Sequence, residues 1–287
     1  MSFPCVQISR SQHPTLLHEI PEPPKELYLR GALPENNLKL IAIVGSRKYS
    51  TYGKQVVDHL VAGLTGYNVG IVSGLALGID ALSHEAALQH NLYTLAIPGS
   101  GLNDSVMYPA RNKPLARRIL ERGGGLLSEF EPSFKATKWS FLQRNRIMAG
   151  ITSATIVVEA TERSGTLVTA RLAVDYNREL MVVPGNIFSQ NTRGPHQFLK
   201  LGAMPVTDAS DIIELLQLTK QADKPKPLNY QLSPAEERLL RVLSEPKDIT
   251  TIASALESSV PEINIALSML EIKGLIRVEG AQYQAVI

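Results

Sequence analysis

The sequence predicts an α/β fold: a doubly wound, mainly parallel sheet followed by a small C-terminal helical domain. Three observations predict it. Short apolar runs alternate with helical stretches between residues 39 and 217. Each run is apolar nearly throughout, as strands covered on both faces are. The runs end in glycine or polar residues, at the rim where ligands of such sheets bind.

The elements follow in order. "KLIAIVGS" (39–46) reads as a buried strand, and "TYGKQVVDHLVAGL" (51–64) as a helix with Val56, Val57, Leu60, Val61 and Leu64 at helical spacing. "VGIVSG" (69–74) is a second strand, and "GIDALSHEAAL" opens the next helix. "LYTLAIPGSG" (92–101) and "GGLLSEF" (124–130) are strands three and four. "SATIVVEA" (153–160), the helix "GTLVTARLAVDYN" (165–177) and the strand "ELMVVPG" (179–185) complete the alternation. Short helices are expected over 194–203 and 208–217. Strand-end residues Gly45-Ser46-Arg47, Ser73-Gly74, Pro98-Gly99, Glu159 and Pro184-Gly185 then share one rim.

Residues 39–218 thus form a Rossmann-like domain. The proline-rich residues 1–38 read as an extended arm lying on it, and 219–232 as a linker. Residues 233–287 outline a winged-helix domain: three short helices and a glycine-turned hairpin. Ser233 as N-cap, Pro234 and Glu236 mark its start.

Composition narrows the function. The chain has 287 residues, enough to bury a core without staples. A single cysteine, Cys5, provides no disulfide framework and fits a reducing, cytoplasmic setting. No apolar run reaches the roughly 20 residues of a membrane helix, so no membrane partner is expected. Residues 39–217 carry 18 Lys and Arg against 14 Asp and Glu, a surplus of +4, whereas residues 233–287 carry 5 against 8, or −3. The large domain is therefore the part suited to a polyanion.

The stretch "SGLALGIDALSHEAAL" (73–88) is a glycine-punctuated turn into a helix. No G-x-G-x-x-G follows the first strand and no G-x-x-x-x-G-K-[ST] occurs, which argues against dinucleotide and P-loop sites. Anion binding remains: Ser73, Gly74 and Gly78 can turn backbone N–H groups to a phosphate, and Gly45-Ser46-Arg47 offers a second cluster with a guanidinium beside it. Tight strand-to-helix packing is the alternative reading of these glycines. In "WSFLQRNRIMAG" (139–150), Arg144 and Arg146 flank Asn145 at the expected start of an apolar helix, where cations oppose the dipole unless an anion sits between them. Pairing with Glu129 or Glu131 is the alternative. Lys135, Lys138, Trp139 and Phe141 mix aromatics with cations, as single-strand binders do; core anchoring suits the two rings equally.

Nothing demands catalysis. The six histidines form no H-E-x-x-H, Cys5 has no partner for zinc, and no metal or cofactor is implied. Asp80 can favour the N-terminus of its helix, or orient Arg47 or a loop backbone. His84 reads as structural. Glu159 follows a strand end without an identifiable partner carboxylate.

Taken in order, these motifs resemble the DNA-processing protein A (DprA/Smf) family. The resemblance rests on Gly45-Ser46-Arg47, "SGLALGIDALSHEAAL", "AIPGSGLNDSVMYP" (96–109), "SEF" (128–130), "FLQRNRIMAGIT" (141–152), "VVEATERSGTLVTARLA" (157–173), "VVPGNI" (182–187) and "G…FLKLGA" (194–203). It spans about residues 13–216. The resemblance implies a single-stranded DNA-binding recombination mediator that protects incoming DNA and loads the RecA recombinase in natural transformation. It further implies a homodimer through the sheet domain, and a DNA pocket holding Ser46, Arg47, Ser73, Gly74, Arg144 and Asn145. Two departures stand out. Many members carry an N-terminal helical domain for which the residues before the first strand leave no room. The family's "FPxRN" is here Phe141-Leu142-Gln143-Arg144-Asn145. The alternative is a nucleotide-binding or nucleotide-hydrolysing enzyme of the related phosphoribohydrolase type. Its P-G-G-x-G-T-x-x-E run is replaced here by "VVEATERSGTLVTA". In the tail, "PEINIALSMLEIKG" has one cation, Lys273, against Glu262 and Glu271, which suits contact with protein or weak DNA binding.

Overall fold

The computed structural model describes residues 3–220, 234–243, 246–256, 258–272, 275–279 and 282–285, in two compact units divided after Gln221. The first unit is built on a nine-stranded sheet. Its strands are β1 (Val6–Ile8), β2 (Leu27–Gly31), β3 (Lys39–Val44), β4 (Val69–Ser73), β5 (Tyr93–Ala96), β6 (Gly125–Ser128), β7 (Ala154–Val157), β8 (Glu179–Val182) and β9 (Met204–Pro205), in spatial order β1-β2-β6-β5-β4-β3-β7-β8-β9. The strands from β3 to β9 are parallel, and β2 pairs antiparallel with both β6 and β1. Strand order runs outward from β3 in both directions, so the switch point lies between β3 and β7.

Helices α1 (Thr51–Gly63), α2 (Ile79–Gln89), α3 (Lys113–Glu121), α4 (Lys138–Ile151), α5 (Thr166–Asp175), α6 (Arg193–Lys200) and α7 (Ala209–Leu216) cover the sheet. Alternate strand residues feed two cores. Ile41, Ile43, Ile71 and Ile156 meet Val57, Leu60, Ile79 and Ile212 from α1, α2 and α7. Leu40, Val44, Val72 and Val157 meet Ile147, Met148, Leu167 and Phe198 from α4, α5 and α6. Successive side chains of a strand point to opposite faces of the sheet, which is why a continuous apolar run serves both cores.

Of the expected arm 1–38, the described residues 3–38 are not an extension lying on the domain. They supply β1 and β2 to the sheet, and Leu17 and Ile20 pack into the second core beside Gly150 of α4. α3 fills a stretch left unassigned by the sequence reading, burying Leu115, Ala116, Ile119 and Leu120. Of the expected linker, Thr219 and Lys220 are described: Thr219 O accepts from Asn68 N at 2.9 Å, and the Lys220 ammonium lies 5.9 Å from the Tyr67 ring centre. Its remainder and the Ser233 cap lie outside the described residues.

The second unit holds α8 (Pro234–Val242), β10 (Lys247–Asp248), α9 (Ile249–Leu256), α10 (Val260–Ile272), β11 (Ile276–Glu279) and β12 (Gln282–Ala285). The strands form an antiparallel sheet in the order β10-β12-β11. Leu239, Leu243, Ile252, Ile263, Leu267, Leu270 and Ile276 make its core. Asp248 caps α9, accepting from the hydroxyls and the N–H groups of Thr250 and Thr251, and these bonds, the Thr250 hydroxyl's first, hold its carboxyl well below the usual range. Lys273 and the hairpin's glycine turn lie outside the described residues.

Candidate functional site

A cleft of about 820 Å³ opens beyond the carboxyl ends of β3, β7 and β8, at the switch point of the sheet. Gly45, Ser46 and Arg47 form one wall, Thr161, Ser164, Thr166 and Gln190-Asn191 another, and α4 the third with Lys138, Phe141, Arg144 and Asn145.

The wall after β3 is a tight turn. The Ser46 hydroxyl donates to Lys48 O at 2.9 Å and accepts from Lys48 N at 3.0 Å. This local closure leaves Arg47 and Lys48 exposed. The Arg47 guanidinium stands 5.6 Å from the centre of the Phe141 ring, and Tyr108, itself exposed, tilts against Phe141 at 5.5 Å. Asn191 Nδ2 donates to Lys48 O at 3.0 Å and ties the second wall to the first.

The α4 wall is set by its cap. Thr137 and Ser140 form a capping box, and the Ser140 hydroxyl also donates to Gly99 O at 2.6 Å. The helix therefore starts at Lys138, six residues ahead of Arg144. The two arginines are mid-helix residues, not N-terminal ones, and they part company there. Arg144 is 4% exposed; it donates to Gly74 O at 2.6 Å, to Ile97 O, and to Asn145 Oδ1 at 3.2 Å. Burial lowers its pKa to about 10, against the pull of Asp80, so it stays charged at neutral pH. Arg146, two residues on and so on another side of the helix, pairs with the Glu129 carboxylate and Glu22 O and does not line the cleft. Glu129 is the partner, as one alternative had it.

The glycine turn after β4 is packed shut. The buried Ser73 hydroxyl donates to Ile43 O at 2.7 Å, Gly74 N donates to Asp80 Oδ2 at 3.1 Å, and Ile79 N donates to Ser46 O at 3.1 Å. Gly78 has φ +89° and its missing side chain would stand 2.2 Å from Ser46 O, so only glycine fits. At Gly74 an added carbon would meet the Arg144 guanidinium at 2.2 Å. Protein groups thus occupy the donors expected to face a phosphate. Ser73 and Gly78 do not line the cleft; Gly74 lines a small neighbouring pocket with Arg47, Tyr108 and Phe141.

Asp80 sits behind this turn. Burial raises its carboxyl pKa, and Arg144 and backbone donors pull it back down. It orients a loop backbone, one of the alternatives considered for it. His84, fully buried, bonds Thr94 Oγ1 through Nδ1 at 2.7 Å, and burial lowers its pKa to about 3, so the ring is neutral. Glu159 accepts from Ser50 N at 2.9 Å and from the Ser50 hydroxyl at the start of α1, off the cleft. Among the described residues no three His, Cys, Asp or Glu are grouped to hold a metal ion, and no helix is long and apolar enough to cross a membrane.

The cleft's lining is one-sided: the cations Arg47, Lys48, Lys138 and Arg144 against one buried carboxyl, Asp80. Such a lining suits anions, and the exposed Tyr108 ring and the half-buried Phe141 ring beside it offer faces for planar groups. Lys48, Tyr108, Thr166 and Asn191 were missed as site residues. Lys48 directly follows Gly45-Ser46-Arg47 and Tyr108 lies inside the 96–109 motif, which is the signal that could have found them.

Residues 5–217 match the family model described as DNA recombination-mediator protein A. The chain is 38% identical over 261 residues to Protein Smf of Escherichia coli strain K12, covering 88% of this chain and 69% of that one. It is 38% identical over 212 residues to the DNA processing protein DprA of Bacillus subtilis strain 168, covering 74% and 70%. Among solved structures, DNA processing protein A of Streptococcus pneumoniae superimposes with a TM-score of 0.68 at 37% identity, covering 74% of each chain. DNA processing protein A of Helicobacter pylori, whose structure addresses its single-stranded DNA binding mode, superimposes with a TM-score of 0.67 at 30% identity, covering 75% of this chain and 96% of that one.

Proposed function

The chain belongs to the DNA recombination-mediator protein A family, and from that premise we propose that its cleft binds single-stranded DNA. The observation that carries the reading is the lining itself: four cations against one carboxylate, with Tyr108 and Phe141 beside them. Arg47 and Lys138 are exposed and hold the phosphates; the rings stack bases. Arg144 keeps the strand ends in place and adds a fixed charge behind Asn145, Ser46 and Gly45. A strand is held here, not cut: the cleft's acid, Asp80, already accepts a backbone N–H.

On this reading the protein is a recombination mediator that protects incoming DNA and loads RecA recombinase onto it during natural transformation, acting in the cytoplasm as a homodimer through the sheet unit. The second unit acts as a winged helix. Its α10 has Glu262 and Glu271 and no cation among the described residues, while Ile265 and Met269 are exposed. That surface suits a protein partner better than a phosphate backbone.

The test is a double substitution, Arg47→Ala with Lys138→Ala. Both residues are exposed, so the fold should stand. Each charge-assisted bond lost costs about 1.5–3 kcal/mol, so affinity for an oligo-dT strand should fall at least about a hundredfold. Unchanged affinity overturns the reading. Turnover of a mononucleotide at an enzymatic rate would favour the nucleotide-hydrolysing alternative.

A further inference from the structure

A second cavity, of about 540 Å³, lies under α3. Phe3, Met107, Leu120 and Leu126 give it an apolar floor, and Arg30, Lys113 and Arg117 stand around it. Its one acid, Asp104, is already paired with Arg30 at 2.6 Å. Arg117 pairs with Glu121 at 2.9 Å on the exposed face of the helix, a contact that exchanges readily for another anion. Lys113 is half-buried and pairs with no carboxylate among the described residues. The stretch from Arg111 to Arg122 holds five cations and one carboxylate, so the field over the cavity is positive.

The cavity and the cleft are lined by neighbouring residues. Met107 lines the cavity, and the next residue, Tyr108, lines the cleft. Asn112 locks the first turn of α3 to the cleft's edge, donating to Leu75 O at 2.8 Å and to Ala76 O at 3.1 Å. Apolar floor, aromatic face and flanking cations in a space of this size match one kind of ligand, a planar base joined to a phosphate.

We propose that this cavity binds a nucleotide unit, its base against Phe3 and the apolar floor and its phosphate on Lys113 and Arg117. The unit is either one link of a strand that continues from the cleft, a form that rests on the reading above, or a free nucleotide, which does not. Two arms separate these sources. In the full chain, Lys113→Glu with Arg117→Glu is compared with the unaltered protein, using oligo-dT of about six and about twenty nucleotides and thymidine monophosphate. If the strand continues, the longer oligomer binds at least about tenfold more weakly and the shorter one as before. If the ligand is free, saturable monophosphate binding is lost and both oligomers bind as before. Phe3→Ala should weaken the affected ligand by about tenfold through lost stacking. Equal weakening of both oligomers would reveal only a diffuse field and overturn the proposal; so would no change with all three probes. Arg47→Ala serves as the separate control: if it spares the short oligomer, the cleft reading fails, whatever the cavity does.

Discussion

The turns after β3 and β4 look alike as sequence, each a glycine beside a serine at a strand end, yet they do opposite work. After β3, Ser46 closes the turn on Lys48, and Arg47 and Lys48 are left to solvent. After β4, Ser73, Gly74 and Ile79 give their donors to Ile43, Asp80 and Ser46. The difference lies in burial. A backbone N–H sealed away from water needs a protein acceptor, so a buried glycine turn fills itself from within. An open turn keeps its groups for a ligand. The packed turn is the foundation on which the open one stands, because Ser46 O is bonded to the first N–H of α2.

The largest effect is expected where the foundation is pinned. Arg144→Met removes the donor to the buried carbonyls of Gly74 and Ile97 and strips Asp80 of its counter-charge. It should cost about 3–5 kcal/mol in urea unfolding. A loss under 1 kcal/mol would mean the turn stands without it.

The next effect is in pH. His84 on α2 is held neutral, with its pKa down at about 3 in the folded chain against 6.5 for an unburied ring. Its share of stability is complete above pH 6.5 and drains away as pH falls toward 3, because the unfolded chain takes up the proton first. The loss runs at about 1.4 kcal/mol per unit inside that window. His84→Gln should flatten the pH dependence of unfolding between those limits; parallel curves for the two proteins would remove His84 from the account.

The smallest effect sharpens the contrast most. Ser73→Ala deletes a buried bond to Ile43 O and should cost about 1 kcal/mol of stability with strand binding unchanged. Ser46→Ala, at a half-exposed site, should cost a few tenths in stability and weaken binding instead. Equal outcomes in a paired unfolding and gel-retardation experiment would erase the distinction between the two turns.

The sheet's central strands were legible because burial on both faces leaves an unbroken apolar run, and β3, β4, β7 and β8 begin at or within one residue of where the pattern places them. β1 and β2 were not legible. Three residues of β1 alternate with nothing, and β2 is a strand because β6 lies beside it, a pairing far away in sequence. The site was half legible. Arg47 lines the cleft from the strand end where the pattern put it. Arg144 and Arg146 fall mid-helix rather than at its start because the start of α4 is set by the Thr137–Ser140 cap, not by the first apolar residue. The helical spacing of Arg144 with Met148 and Ile151 already placed that arginine on the buried face. The closed turn could not be read, since its acceptors come from residues 30 and 33 positions away or from across the helix start.

The pairing of β2 with β6 also sets an order of events at birth. During synthesis, β1 and β2 leave the ribosome as a two-stranded ribbon with an open edge, and such a ribbon is only marginally stable in water. Its permanent neighbour arrives roughly a hundred residues later, once Gly125–Ser128 has been made. The ribbon's neighbours Leu17 and Ile20 then wait again, for Gly150 on α4. β1 and β2, made before the rest of the sheet, are thus among the last strands to be secured, and the helix that carries Lys138 and Arg144 is seated beside Leu17 and Ile20.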